Sequence, residues 1–157
     1  PSELAYCGSK NLTDKLKGFN IDIGKMLLSP TRSYAPLLKL IFDEIGRNKI
    51  NGIIHCTGGG QTKILHFIDN LHIIKNNLFE IPPIFRLIME ESDTDPKEMY
   101  KVFNMGHRME IYLEPKNVSK VIDLSKSVGI DAKIIGEVNE SDVKKLSIHS
   151  ELGNFDY

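Results

Sequence analysis

Residues 55–63 hold the strongest chemical pattern in the chain, a strand-like run that leads into three consecutive glycines and then a helical pattern. Glycines at such a turn let the backbone approach an anion, which the free N–H groups at the start of the helix then bind. The pattern therefore predicts a phosphate site, and the alternative is a tight turn that needs positive φ angles. Neither a P-loop nor a dinucleotide fingerprint has this glycine spacing. The residues concerned are Thr57, Gly58, Gly59 and Gly60, with Gln61, Thr62 and Lys63 after them.

Two other segments carry candidate ligand-binding side chains. Asn104 lies in a polar turn just before a predicted strand, where its amide would bind a ligand amide or ribose. Arg108 follows the same turn and could pair with a phosphate through two N–H groups, and Arg32 brings a second cation to a helix start. The alternatives are an Asx turn at Asn104 and two solvent-exposed arginines. No pattern identifies a catalytic residue.

The histidines and cysteines do not have the spacing of metal ligands. His66 and His72 are six residues apart without a carboxylate motif, so no metal site is predicted. Cys7 and Cys56 are far apart, which is typical of a reducing compartment. Because Cys56 lies in a predicted buried strand, we expect an inert thiol.

The composition is that of a soluble globular protein and excludes several classes of partner. The chain has 157 residues, of which 41% are hydrophobic and 26% charged, with a formal net charge of −1. This charge gives no electrostatic signal for nucleic acid or an anionic membrane, and no apolar run approaches the ~20 residues that span a bilayer. A cytoplasmic protein is therefore expected. The linker-like start at Pro1 favours a fragment of a longer protein.

Apolar periodicity and helix or strand breakers predict the elements that position these segments. The fold class is α/β (α+β), with a mixed sheet, helices packed on it and ferredoxin-like elements in the last β-α-β unit. We divide the chain into an irregular segment (residues 1–28), a domain (residues 29–138) and a polar, frayed tail (residues 139–157). Predicted strands cover residues 50–56, 71–75, 109–113 and 132–138, and predicted helices cover residues 12–16, 34–46, 61–68, 84–91, 116–128 and a stretch that begins at Asp95-Pro96.

Five segments, in order, resemble the C-terminal half of the aminoimidazole ribonucleotide synthetase (phosphoribosylformylglycinamidine cyclo-ligase) family. Each segment is short, but their order makes the resemblance specific, and it covers about residues 25–138. The segments are L-S-P-T-R-S-Y at 28–34, G-I-I-H-C-T-G-G-G at 52–60, I-P-P-I-F-R at 81–86, F-N-M-G at 103–106 and I-I-G-E-V at 134–138.

The resemblance implies an enzyme that closes the imidazole ring of purine biosynthesis. In this family ATP activates the formyl oxygen of formylglycinamidine ribonucleotide, and attack by the amidine-side nitrogen gives aminoimidazole ribonucleotide, ADP and phosphate. The resemblance also implies a homodimer whose N-terminal domain binds ATP and Mg²⁺, while the C-terminal domain forms the other wall of the cleft. Nothing in this chain resembles that N-terminal domain, so the isolated chain is expected to be inactive.

The chain departs from the family pattern in three places. His107 and Arg108 replace a small or apolar pair, residues 61–63 replace a pattern with an acidic residue and an asparagine, and residues 1–28 lack a segment rich in serine and asparagine. Two alternatives stay open: another ATP-dependent enzyme of the superfamily (formylglycinamidine ribonucleotide synthetase, selenophosphate synthetase or the hydrogenase maturation dehydratase), or a non-catalytic binding or dimerisation module.

Overall fold

Short helices and strands alternate along residues 8–157, the part of the chain that the computed structural model describes. Cys7 and the start of the chain at Pro1 lie outside these residues. No helix between residues 8 and 157 is long and apolar enough to cross a membrane. The α-helices are α1 (Ile23–Leu27), α2 (Ala35–Ile45), α3 (Pro83–Ser92), α4 (Pro96–Val102) and α5 (Val118–Ser127). The strands are β1 (Ile50–His55), β2 (Leu71–Lys75), β3 (Met109–Leu113), β4 (Gly136–Glu140), β5 (Lys145–Ser150) and β6 (Gly153–Asp156).

The strands form two separate sheets. β1 and β3 pair antiparallel in a two-stranded sheet, and the other sheet has the order β4-β2-β5-β6. β2 and β5 are parallel, whereas β4 and β6 pair antiparallel with their neighbours. A mixed α+β fold is thereby confirmed. The helix α5 connects β3 of one sheet to β4 of the other, so the last β-α-β unit does not close within a single sheet.

Two apolar clusters cover the two faces of the β1–β3 sheet. The main core lies on the face of Ile54 and Tyr112, and the second cluster lies on the face of Ile50 and Ile111. The sheet thus has both faces covered, as the paired isoleucines of β1 predicted. The buried members of the main core are Ile54, Cys56, Ile64, Ile73, Ile81, Met99, Tyr100, Met105, Leu146 and Ile148, and those of the second cluster are Leu37, Ile41 and Val121.

The helices with clear start and stop signals form where the sequence predicts them. α2 has a proline in its first turn and ends at Gly46, whose φ of 93° is accessible to glycine. At the start of α4, the Asp95 carboxylate accepts a hydrogen bond from the Lys97 N–H at 2.8 Å. α2 begins after Tyr34 without a hydrogen bond from a capping side chain.

The predicted helix at residues 12–16 is wrong. The Asp14 carboxylate accepts the Asn11 N–H at 2.8 Å, and this local bond favours a turn over a helix. The only α-helix between residues 8 and 28 is α1, which Asp22 caps. This region contacts the rest of the domain, since the Ser9 hydroxyl donates to Glu91 on α3 at 2.7 Å and Ile23 is buried.

The strand predicted at residues 132–138 begins four residues later and ends two residues later, as β4. Gly136 begins this strand rather than ending it, because β4 approaches β2 there more closely than any side chain would allow. A Cβ atom on Gly136 would lie only 1.8 Å from the Ile74 carbonyl oxygen. Before Gly136 the chain does not run in a sheet, and the Ile135 carbonyl instead accepts the N–H groups of Asn76 and Asn77.

The polar tail predicted at residues 139–157 is wrong, because this segment supplies β5 and β6. β5 lies in the middle of the four-stranded sheet, and its Leu146 and Ile148 are fully buried in the main core. Residues 145–150 alternate polar and apolar side chains, which is the pattern of a strand with one buried face. The predominantly polar composition of residues 139–157 concealed this alternation.

A truncation of one β5 side chain tests the role of this strand. We expect Ile148→Ala to lower the free energy of unfolding by about 2–5 kcal/mol, because it leaves a cavity in a core that is fully closed. Val143→Ala, at a position 64% exposed, is the matched control and should change it by less than about 0.5 kcal/mol. Urea denaturation measures both values, and equal values for the two variants would show that β5 is not part of the core.

Candidate functional site

The glycine turn (residues 57–60) has a backbone conformation that glycine adopts readily. Gly58, Gly59 and Gly60 have φ angles of 59°, 95° and 48°, so the predicted need for positive φ is confirmed. Gly60 is required for a second reason, since a Cβ atom there would lie 2.5 Å from the Phe103 carbonyl oxygen and 2.7 Å from that of Tyr100. The turn is therefore packed against the end of α4. After the turn, the predicted α-helix is a 3-10 helix, Gly60–His66.

Three N–H groups of the turn lack an acceptor in the described part of the chain, and the last of them belongs to Gly60, which is buried. Within residues 8–157, the N–H groups of Gly58, Gly59 and Gly60 have no hydrogen-bond acceptor, whereas those of Thr57 and Thr62 donate to carbonyls of the same loop. Thr57 and Gly58 are exposed to solvent. Consecutive N–H groups in a turn of this kind form a concave nest that binds anions. The groups that this turn could offer to an anion are therefore backbone N–H groups.

The polar side chains after the turn stabilise it. The Lys63 ammonium donates to the carbonyl oxygens of His55 at 3.1 Å and Thr57 at 2.8 Å, and the Thr62 hydroxyl donates to that of Gly59 at 3.0 Å. Thr62 and Lys63 thus hold the loop through its carbonyls. The Thr57 hydroxyl has no partner in the described part of the chain and remains available to a ligand.

Asn104 lies directly behind the glycine turn, in an Asx turn. Its side-chain oxygen accepts the Gly106 N–H at 2.9 Å, so the alternative interpretation of this residue is confirmed. Its carbonyl oxygen accepts the Gln61 side-chain amide at 3.1 Å, which ties the two turns together. Only the Asn104 amide nitrogen is left for a ligand.

Arg108 and Arg32 differ in what their side chains contact. The Arg108 carbonyl oxygen accepts the Cys56 N–H at 2.9 Å, which places this residue beside the start of the glycine turn. The Arg108 guanidinium is exposed and has no partner among residues 8–157. The Arg32 guanidinium donates to the Gly129 carbonyl and so connects the segment before α2 to the segment after α5.

Both arginines line a cavity of about 1030 Å³ that lies between β3, β4 and α5. The glycine turn and Asn104 are not in its wall. The structure therefore brings the glycine turn, Asn104 and Arg108 together at one end of the β1–β3 sheet. Arg32 shares the cavity wall with Arg108, and its guanidinium contacts the Gly129 carbonyl.

A buried ion pair that sequence reasoning missed lies beneath this site. The Lys75 ammonium donates to Glu110 at 2.5 Å and to the Gln61 carbonyl oxygen at 2.8 Å, and the Tyr112 hydroxyl donates to the other Glu110 oxygen at 2.6 Å. The two charged side chains are only 1% and 2% exposed. Burial, and then the Glu110 charge, raise the pKa of Tyr112 well above its usual range. The available signal was a pair of opposite charges at inward positions of two predicted strands.

His107 and Cys56 are buried and neutral. Burial lowers the pKa of His107 to about 4, and its Nε2 accepts the Phe79 N–H at 3.0 Å. This departure from the family pattern is therefore part of the packing. Burial raises the pKa of the Cys56 thiol to about 12, in agreement with the predicted inert cysteine.

Three comparisons place this geometry among known proteins. Residues 8–149 match the family model "AIR synthase related protein, C-terminal domain". The chain is 34% identical to a phosphoribosylformylglycinamidine cyclo-ligase of Syntrophus aciditrophicus over 147 residues, 88% of this chain and 40% of that protein. It is also 34% identical to the protein of the same name from Methanococcus vannielii over 131 residues, 83% of this chain and 36% of that protein. The chain thus spans about 40% of the length of such relatives.

A solved structure shares the fold. The hydrogenase maturation protein HypE of E. coli matches 86% of this chain and 42% of its own chain, with a TM-score of 0.57 and 21% sequence identity. At this identity the likeness concerns the fold alone.

The buried neutral histidine predicts a pH dependence of stability. In the unfolded chain His107 takes up a proton as the pH falls through about 6.5, whereas the folded protein resists protonation down to about 4. The unfolded state then binds more protons, so up to about 3 kcal/mol of unfolding free energy is lost between these pH values. We expect His107→Gln to flatten this part of the pH profile, measured by urea denaturation from pH 7 to 4. The exposed His149→Gln should keep the wild-type profile, and an unchanged profile in His107→Gln would contradict the assignment.

Proposed function

The chain belongs to the family of C-terminal domains of AIR synthase related proteins. From this membership we propose that it is the C-terminal domain of an ATP-dependent cyclo-ligase. The whole protein would convert formylglycinamidine ribonucleotide into aminoimidazole ribonucleotide. The names of the relatives support this reaction class. The observation that carries the proposal is the glycine turn, where the unused N–H groups of Gly58 and Gly59 and the exposed Thr57 suit the phosphate group of a ribonucleotide.

In this proposal the backbone of the glycine turn binds the phosphate group, and Arg108 adds a positive charge beside it. The Arg108 guanidinium is exposed, without a partner in residues 8–157, and its backbone is bonded to the residue before the turn. A hydrogen bond to a charged group contributes about 1.5–3 kcal/mol. Asn104 and Arg32 would contact the ribonucleotide through the atoms that they leave free, the Asn104 amide nitrogen and the rest of the Arg32 guanidinium.

The departures from the family pattern are compatible with this role. Lys63 and His107 bond to the backbone of this chain, and Gln61 joins the two turns through its side chain. These substitutions change side chains that hold the site without removing any of the glycine N–H groups. In this proposal the phosphate contacts are backbone N–H groups, which are present whatever the side chains at these positions.

ATP and Mg²⁺ are assigned to a preceding domain in this proposal. No group of three or more His, Cys, Asp or Glu side chains in the described part of the chain is arranged to hold a metal ion. The candidate site instead offers hydrogen-bond donors for an anion, namely the N–H groups of the glycine turn and the Arg108 guanidinium. We further propose, from the family, that the whole protein is a cytoplasmic homodimer in which this domain forms one wall of the cleft.

Ring closure by the whole protein tests the proposal. We expect the protein that joins this chain to an ATP-binding domain to form aminoimidazole ribonucleotide and ADP in equal amounts. The isolated 157-residue chain should neither hydrolyse ATP nor close the ring, because stabilisation of the transferring phosphoryl group needs metal ions and donors from both walls. Product formation is followed chromatographically. Turnover by the isolated chain, or a whole protein inert toward this ribonucleotide, would count against the proposal.

The Arg108 side chain tests the phosphate assignment. In the whole protein, Arg108→Ala should raise KM for the ribonucleotide by roughly ten- to a hundredfold while the KM for ATP stays nearly constant. Arg47→Ala, which removes a guanidinium that stacks on Phe42 far along the chain, is the matched control and should change neither constant. If both KM values of Arg108→Ala stay within about twofold of wild type, the guanidinium is a solvent-exposed group that does not bind the phosphate.

A further inference from the structure

The buried pair of Lys75 and Glu110 is the only contact of its kind between two charged side chains in residues 8–157, since every other ion pair there is at least partly exposed. Withdrawing two charges from water is costly, and their attraction offsets this cost only when the geometry and the remaining hydrogen bonds are good. Here the Glu110 carboxylate accepts hydrogen bonds from both Lys75 and Tyr112. Such a pair commonly adds little net stability, so its position calls for a different physical explanation.

The pair connects three parts of the fold that share no backbone ladder. Lys75 ends β2 in the four-stranded sheet, and Glu110 lies in β3 of the two-stranded sheet. The third partner is the Gln61 carbonyl oxygen, one residue after the glycine turn, which accepts the Lys75 ammonium at 2.8 Å. The ion pair thus joins both sheets to the end of the turn.

Gln61 is held at both its backbone and its side chain. Its carbonyl accepts Lys75, and its side-chain amide donates to the Asn104 carbonyl oxygen at 3.1 Å. The other end of the turn is held by Lys63 and by the hydrogen bond from Cys56 to Arg108. The three free N–H groups therefore lie between two fixed points, of which the one at Gln61 is bonded to the buried ammonium.

We infer that Lys75 and Glu110 are positioning residues that orient the N–H groups of the glycine turn toward its anion. This inference rests on the proposed function. Glu110 acts through Lys75, and Lys75 acts through the Gln61 carbonyl, so neither side chain touches the ligand. The competing explanation is that the pair only contributes to global stability.

A set of variants separates orientation from stability. The triple variant Lys75→Met/Glu110→Leu/Tyr112→Phe replaces the network by apolar side chains of similar size, which commonly preserves or raises stability. It removes the donor to the Gln61 carbonyl. Ile41→Val, in the second cluster and fully buried, is the control for a general loss of core packing.

The measurements are made on the 157-residue chain labelled with ¹⁵N. We expect the heteronuclear NOE values of Gly58, Gly59 and Gly60 to fall in the triple variant, while those of β1 and β3 and the urea midpoint stay near wild type. The dissociation constant for inorganic phosphate, from the amide shifts of the same glycines, should rise about tenfold. Ile41→Val should lower the urea midpoint and leave the NOE values and the dissociation constant unchanged.

Two results overturn the positioning role. One is a triple variant whose glycine NOE values match wild type, and the other is an equal fall in Ile41→Val. If phosphate leaves the glycine amide shifts of the wild-type chain unchanged, the proposed phosphate site fails, while the NOE comparison still decides whether the pair orders the turn.

Discussion

The buried ion pair between Lys75 and Glu110 is the contact through which the two sheets and the residue after the glycine turn are joined. Its two charges are almost completely removed from water, so each requires the other, and they come from different sheets. In the folded domain the two sheets therefore contact each other at these side chains. The Lys75 ammonium also donates to the Gln61 carbonyl, one residue after the glycine turn.

Around this contact, the candidate site is built from the ends of elements rather than from one motif. The glycine turn follows β1, the Asn104 turn follows α4, and Arg108 precedes β3. Their mutual contacts run through backbone groups: Gly60 packs on the Phe103 carbonyl, and Cys56 donates to the Arg108 carbonyl. A site of this kind tolerates substitution of its side chains better than a change of its glycines, which suits a chain only 34% identical to relatives such as the Syntrophus protein.

The sequence predicted elements well where local signals agreed. α2 has a proline in its first turn and ends at Gly46, and α4 begins after Asp95. The alternation of apolar and polar side chains indicated β3. The prediction of secondary structure failed where pairing with residues distant in sequence outweighed the local sequence pattern. Residues 145–150 form the central strand β5 because Leu146 and Ile148 fill a core built by distant residues. The start of β4 at Gly136 depends on close approach to Ile74, which no local pattern encodes.

The sequence by itself determined the unusual backbone of the glycine turn, since three consecutive glycines permit positive φ angles. It also carried the family resemblance, because the order of short segments survives substitution. Only the tertiary structure decided which polar side chains remain free for a ligand. Asn104 and Arg32 bond mainly within the chain, whereas the Arg108 guanidinium has no partner among residues 8–157. Nothing in residue type separates the two arginines; the difference arises because Arg32 faces the Gly129 carbonyl, a partner 97 residues away in sequence.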